Sequence, residues 1–72
     1  MTLGEFIRVK RKESDLTQEE LAKKLDTDQR RISLWENDEV VPSGKLLVKL
    51  SLAINATPAE MDKVLKGETY GD

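Results

Sequence analysis

Three side chains that can hydrogen-bond to nucleic acid follow one another at Gln29, Arg30 and Arg31. A Gln amide can pair with adenine through two hydrogen bonds, an Arg guanidinium can pair in the same way with guanine, and both can bind phosphate. The same residues are also ordinary on a solvated helix surface. Whether the three residues form a binding surface therefore depends on the secondary-structure elements that position them.

The chain offers little for catalysis or for metal binding. Its 72 residues include no Cys and no His, which removes the usual ligands of a structural zinc site and the thiols of a disulfide. A Gly-rich phosphate loop and a spaced cluster of carboxylates are also missing. We expect a protein that acts by binding, with no enzymatic activity, cofactor, metal or small-molecule substrate.

The charge balance argues against strong, nonspecific attraction to phosphate. The net charge is −2, with eight basic and eight acidic side chains in residues 1–37 and four basic and six acidic ones in residues 38–72. Any positive surface must then be local. The N-terminal residues lack the pattern of a signal peptide and the apolar runs are short, so we expect a cytoplasmic protein that does not associate with membranes.

Capping residues and apolar spacing predict five short helices and an all-α fold. Residues 2–5, 17–20 and 57–60 each begin with Thr and end with Glu, as in a capping box. Apolar residues then recur at helical intervals. The predicted helices cover residues 2–13, 17–25, 28–36, 43–54 and 58–66.

The connection between the second and third predicted helices is very short. It consists of Asp26, Thr27 and Asp28, so the two helices must meet at a steep angle. Asp28 suits the N-cap of the third helix. Ser43 can cap the fourth helix, and Asn55 suits a left-handed residue at its end.

The pattern over residues 17–37 resembles the helix-turn-helix of Cro-like and lambda-type repressors. It comprises TQEELA at 17–22, Leu25, Ile32 and WEN at 35–37, all at fixed offsets. The resemblance covers residues 3–65. It implies a five-helix, lambda-repressor-like DNA-binding domain over residues 1–67, with the helix-turn-helix at about 17–36, followed by a flexible tail at 68–72.

The resemblance also implies roles for individual side chains. In that family the second helix crosses the phosphate backbone and the third enters the major groove. Its base-facing positions are matched here by Gln29, Arg30, Arg31 and Leu34, and its phosphate-facing amides by Gln18 and Asn37. Arg11 and Glu36 match an ion pair between the first and third helices, for which we predict a structural role. Trp35 is expected in the core.

Several residues depart from the family's pattern. Asp26 stands where the family usually has Gly in the turn, which is tolerable because Asp can adopt the left-handed conformation at some cost. Leu34 can touch a thymine methyl group but cannot hydrogen-bond. Asp28, Asp38 and Glu39 place negative charge beside the expected phosphate contacts. Together with Asp26 and the apolar Leu34, these charges would complement a basic protein surface, such as the DNA-binding face of a repressor.

The fourth predicted helix is apolar around most of its circumference, whereas a half-buried helix needs only an apolar stripe. Together with the preceding loop, it predicts a protein interface that includes Val40, Val41, Leu46 and Leu52. A small domain that buries whatever apolar surface it has is the alternative.

Length and whole-chain character also resemble the modulator-of-repression proteins, or antirepressors, of temperate phages of Gram-positive bacteria. That resemblance implies a regulator of the lysis/lysogeny switch that acts in the host cell mainly by binding the DNA-binding domain of a cognate phage repressor. The alternative is a Cro-type repressor that binds operator DNA directly, as a dimer, through its third helix. The expected partners are accordingly a repressor protein, operator DNA or both, and a homodimer is compatible with either.

Overall fold

The computed structural model describes residues 1–65, and the predicted tail at 68–72 lies outside the described residues. The fold is all-α, as predicted. The helices are α1 (Leu3–Glu13), α2 (Gln18–Lys24), α3 (Gln29–Glu36), α4 (Gly44–Ala53) and α5 (Pro58–Leu65). The ends of the first four differ from the predicted ones by at most one residue, because the predicted ranges include cap residues.

Side chains at the helix starts satisfy the backbone N–H groups that lack a partner within the helix. Complete capping boxes begin α1 at Thr2 and α2 at Thr17, and the Thr57 hydroxyl accepts from the Glu60 N–H at 3.1 Å. Asp28 caps α3 as predicted. Ser43 occupies the N-cap of α4, but its side chain makes no capping hydrogen bond, so only the position of that cap is correctly predicted.

The first four helices all end in the same way. Asp15, Asp26, Asp38 and Asn55 adopt left-handed backbone conformations, with φ between 55° and 60°. The N–H of each following residue reaches back five positions, as when Thr27 donates to the Ala22 carbonyl at 2.9 Å. This Schellman-type closure normally uses Gly, and Asp or Asn can replace it because their short polar side chains tolerate the left-handed region. The left-handed conformations expected for Asp26 and Asn55 are confirmed.

A single apolar cluster fills the space between the helices. Phe6, Ile7, Leu21, Ile32 and Leu50 are fully buried, and Trp35 is 2% exposed, as expected for a core aromatic. Helix α3 packs against both α1 and α2, whereas α4 packs against α5. Burial of these side chains fixes the orientation of α3 relative to α2. Among the described residues, no helix has the length and apolar character needed to cross a membrane.

Candidate nucleic-acid interface

The packing of α3 leaves the first turn of that helix exposed. The Asp28 carboxylate accepts from the Arg31 N–H at 2.9 Å, which fixes the start of the helix. Ile32 is fully buried, whereas Gln29, Arg30 and Arg31 are exposed. The structure therefore presents the three consecutive polar residues on the surface. Leu34, one turn further on, is half-buried.

The two arginines of α3 are available to a partner. Within residues 1–65, neither Arg30 nor Arg31 makes a hydrogen bond or an ion pair through its guanidinium group. The first turn of α3 contains no acidic residue, although the Asp28 cap directly precedes it. Each guanidinium keeps its full donor capacity for an acceptor such as phosphate or a guanine edge.

A chain of amide hydrogen bonds connects the start of α3 to the start of α2. The Gln29 Nε2 atom donates to Gln18 Oε1 at 3.4 Å, and Gln18 Nε2 donates to Glu36 Oε1 at 3.0 Å. Gln18 is half-buried and Gln29 is exposed. The sequence resemblance places both residues at the interface, but it does not indicate this link between them.

The buried end of that chain is the ion pair of Arg11 and Glu36. Arg11 Nε lies 2.6 Å from Glu36 Oε2, and Arg11 Nη2 donates to Oε1 at 3.2 Å. The Glu36 side chain is 1% exposed, and Arg8 Nε also approaches it, at 3.5 Å. Arg11 uses its remaining nitrogen to bind the Leu16 carbonyl at 2.8 Å. Both buried charges are thus hydrogen-bonded, which offsets much of the cost of removing them from water.

Asn37 lies at the C-terminal end of α3 and is exposed. Its Oδ1 atom accepts from Arg8 Nη2 at 3.3 Å, and its Nδ2 atom donates to Ser33 Oγ at 3.3 Å. These long contacts orient the amide while it retains a second N–H for an external acceptor.

Two carboxylates that were expected to repel DNA have partners within the fold. Asp28 caps α3, and Asp38 Oδ1 accepts from the Gly4 N–H at 2.9 Å. The Asp38 bond brings a negative charge to the start of α1, where the helix dipole favours it. The Asp38 carboxylate thus contributes to the packing of the chain, and because it remains exposed its charge still lies beside Asn37.

Sequence reasoning missed the close approach of α1 to the end of α3 at Gly4. A methyl group at Gly4 would lie 2.7 Å from the Trp35 carbonyl oxygen and nearer still to that of Glu36. Only a residue without a side chain fits there. A Gly in the first turn of a predicted helix, where it lowers helix propensity, is the one signal that the sequence offers.

The predicted protein interface does not form one surface. Val40, Val41 and Leu46 line a groove of about 250 Å³ beside Arg31, whereas Leu52 lines a separate groove elsewhere. Leu46 is half-buried and packs against the core, so only part of its side chain is available to such an interface. Positions 46 and 52 are six residues apart along the helix, which turns them about 120° apart around the axis of α4.

The family model for helix-turn-helix proteins matches residues 7–61 of this chain, and that span contains α2, α3 and the exposed Gln29, Arg30 and Arg31. The chain belongs to the helix-turn-helix family. The fold and the position of the motif, as predicted from residues 17–37, are confirmed.

Relatives of this helix-turn-helix chain include a phage repressor, a bacterial transcriptional regulator and a phage control-region protein. Repressor protein C2 of Salmonella phage P22 is 38% identical over 66 residues, which are 92% of this chain and 29% of that protein. The transcriptional regulator DicA of Escherichia coli K12 is 40% identical over 58 residues, or 81% and 43% of the two chains. The ImmF control region 10 kDa protein of Bacillus phage phi105 is 42% identical over 53 residues, or 74% and 59%. The helix-turn-helix chain thus spans less than two thirds of each relative.

Solved structures give the same family relationship. The P22 c2 repressor in complex with synthetic operator 9T matches with a TM-score of 0.81 and 35% identity, over 94% of this chain and 98% of that one. The solution structure of the P22 c2 DNA-binding domain matches with a TM-score of 0.79 and 36% identity, over 93% and 84%. Both structures are of a repressor, DicA is a transcriptional regulator, and the comparisons give no support to the antirepressor interpretation that the sequence favoured.

Proposed function

We propose that this chain is a phage-type transcriptional regulator that binds operator DNA through α3, by recognition and without catalysis. The observation that carries the proposal is the pair of exposed, unpaired guanidinium groups of Arg30 and Arg31 beside Gln29. Arg and Gln are the side chains that most often read guanine and adenine through paired hydrogen bonds in the major groove.

The rest of the surface suits the same docking. With α3 in the major groove, α2 would cross the phosphate backbone. The amides of Gln18 and Asn37 would then contact phosphate, one from the start of α2 and the other from the end of α3. The P22 c2 repressor, whose structure with a synthetic operator is similar over 94% of this chain, is the comparison that supports this docking.

The net charge of −2 sets an expectation for the strength of this binding. Nonspecific affinity comes mainly from neutralised phosphates, so a chain with few free cations on its docking face should bind random DNA weakly. Specific binding would then depend on base contacts from α3 and on two copies engaging adjacent half-sites. We therefore propose a dimer on a pseudo-palindromic operator.

The repressor-binding alternative rests on the acidic residues around α3. Asp28 caps α3 and Asp38 accepts from the Gly4 N–H, so both carboxylates have a role in the fold, and the comparisons give no support to a complex with a repressor.

The proposal is tested by selecting ligands from a pool of randomised duplexes with the intact chain. Affinity for the selected duplex is then measured by fluorescence anisotropy across a salt series. We expect a selected sequence that binds at least about a thousandfold more tightly than random DNA, with affinity falling as salt rises. Arg30→Ala and Arg31→Ala should each weaken binding, whereas Lys63→Ala on α5 removes an equal charge and should change it little. If no sequence is enriched, or if the arginine variants bind like the parent, the proposal is wrong.

A further inference from the structure

The outer face of α4 carries an apolar stripe that the fold does not cover. Val48 and Leu52 are 54% and 72% exposed, and Leu52 is the most exposed large hydrophobic side chain among the described residues. A spacing of four residues places the two on the same side of the helix. Lys45 and Lys49, also exposed, border the stripe on the same arc of the helix.

A groove of about 450 Å³ continues this stripe towards α2. It lies between α4 and the end of α2, and Leu52 and Ala53 line it on one side and Leu25 on the other. Lys24 and Lys49 also line it, together with Asp26 from the turn after α2. We call the combined surface of stripe and groove the α2–α4 face.

The charge of the α2–α4 face is opposite to that of the chain as a whole. In the described part of the chain, Lys24, Lys45 and Lys49 make no ion pair, whereas nearby Lys23 pairs with Glu19 at 3.7 Å. Asp26 is the one carboxylate among the described lining residues of the groove. Three unpaired ammonium groups around aliphatic side chains favour an occupant that carries both carboxylates and aliphatic side chains.

We propose that the α2–α4 face is a docking site for an amphipathic, acidic helical segment of a partner protein. A helix with leucines at three- and four-residue spacing would cover Val48 and Leu52 and fill the groove, and its flanking carboxylates would meet the lysines. Phosphates of nucleic acid would satisfy the lysines but would leave the aliphatic side chains uncovered. The described lining of the groove contains no residue of α3 and neither Gln18 nor Asn37, so the face shares no residue with those proposed to contact the operator. A partner and DNA can then bind together.

The probe is a synthetic helical peptide with leucines at three- and four-residue spacing along one face and glutamates beside them. The backbone amide resonances of the intact, isotope-labelled chain are followed by NMR as peptide is added. The titration extends to about 1 mM peptide, so that a dissociation constant as weak as about 1 mM is detected. We expect shifts at Lys24, Lys49, Leu52 and their neighbours, with α3 unaffected. A peptide in which lysine replaces every glutamate should bind at least about tenfold more weakly, because it reverses the complementarity.

Matched variants distinguish peptide binding at the α2–α4 face from nonspecific binding elsewhere on the chain. Leu52→Glu and Lys49→Glu should each weaken peptide binding by about tenfold or more. Val41→Glu also places a charge on an exposed aliphatic residue, 63% accessible but outside this face, and should leave binding unchanged. The proposal is overturned if the peptide causes no shifts or if both peptides bind equally. It is also overturned if sedimentation without peptide shows a dimer that Leu52→Glu dissociates, because a second copy of the chain would then be the occupant. Failure of these tests would leave the operator-binding result unaffected.

Discussion

Gln18 Nε2 donates to Glu36 Oε1 at 3.0 Å and thereby joins the first residue of α2 to the last residue of α3. Because Glu36 is also held by Arg11, the hydrogen bonds lead from a buried ion pair to the Gln18 amide and on to Gln29 at the surface. The polar link between the two helices and the orientation of the surface amides therefore depend on the same buried carboxylate.

Glu36→Gln should destabilise the fold strongly. The substitution keeps the shape of the side chain but leaves the buried Arg11 guanidinium without its counter-charge. Removing one partner of a buried pair costs about 3–5 kcal/mol. Urea unfolding followed by far-ultraviolet circular dichroism measures the loss in the free energy of unfolding.

Glu19→Gln is the matched control for this measurement. It removes the carboxylate that pairs with Lys23, in a contact where both side chains are more than two thirds exposed. An exposed pair contributes less than about 1 kcal/mol. Equal losses for Glu36→Gln and Glu19→Gln would show that the Arg11 pair has no special structural role.

Gly4→Ala should also destabilise the chain, whereas Gly44→Ala should not. At Gly4 the added methyl group would collide with backbone carbonyls of α3, and overpacking of this kind costs about 1–3 kcal/mol. At Gly44 nothing lies within 4 Å of an added Cβ, so the lower entropy of the unfolded chain should stabilise the fold by about 0.4–1 kcal/mol. Thermal unfolding of both variants provides the comparison, and a stable Gly4→Ala variant would disprove the close packing.

The sequence allows the helix boundaries to be predicted because they depend on local chemistry. The Thr and Glu of each capping box lie three residues apart, so their hydrogen bonds are readable along the chain. The Gly4 contact with Asp38 joins residues 34 positions apart, and no local pattern predicts such a contact. The left-handed Asp38 was missed for a related reason, since Asp in a loop is equally compatible with other turn conformations.

The resemblance supplies the residues of the candidate site, but the contacts between them depend on the fold. The resemblance places Gln18 and Gln29 at the interface, yet their hydrogen bond depends on the crossing of α2 and α3. Periodicity shows that α4 has too many apolar residues, but it does not tell which ones the core covers. Packing decides that Leu46 turns towards the core while Leu52 remains exposed.

Glu20 should titrate at a lower pH than an ordinary glutamate. Its backbone hydrogen bond from Thr17 is the main cause of the lowered pKa, and the Thr17 side chain adds to it. Because its pKa is lower in the folded chain, ionised Glu20 stabilises the fold at pH values above the pKa of a Glu in the unfolded chain, about 4.3. This contribution is lost as the pH falls through the folded-state pKa. A carbon-13 NMR titration of the Glu20 carboxyl group measures the pKa directly.

Thr17→Ala provides the check on that assignment. It removes the side-chain hydrogen bond while the backbone N–H remains, so the Glu20 pKa should rise part of the way towards its ordinary value. Loss of the N-cap should also lower stability by about 1 kcal/mol. An unchanged Glu20 pKa in this variant would mean that the Thr17 side chain does not contribute.

Gln29→Ala should relax sequence discrimination without changing the salt dependence of operator binding. Gln is neutral and releases no counterion from DNA, but a bidentate contact to a base contributes about 1–3 kcal/mol of discrimination. Competition between the selected duplex and its single-base variants, repeated at several salt concentrations, measures both quantities. A steep change in the salt slope would indicate that the variant has altered the whole docking geometry.

Gln18→Ala should also weaken discrimination at the base pair that Gln29 contacts, although Gln18 itself is expected to face phosphate. The substitution removes the oxygen that accepts from Gln29 Nε2, so the Gln29 amide loses the hydrogen bond that orients it. Because the two residues act through one contact, the double variant Gln18→Ala/Gln29→Ala should discriminate no worse at that base pair than Gln29→Ala alone. Additive losses would instead mean that the residues read the operator independently, and the hydrogen bond between them would then have no part in recognition.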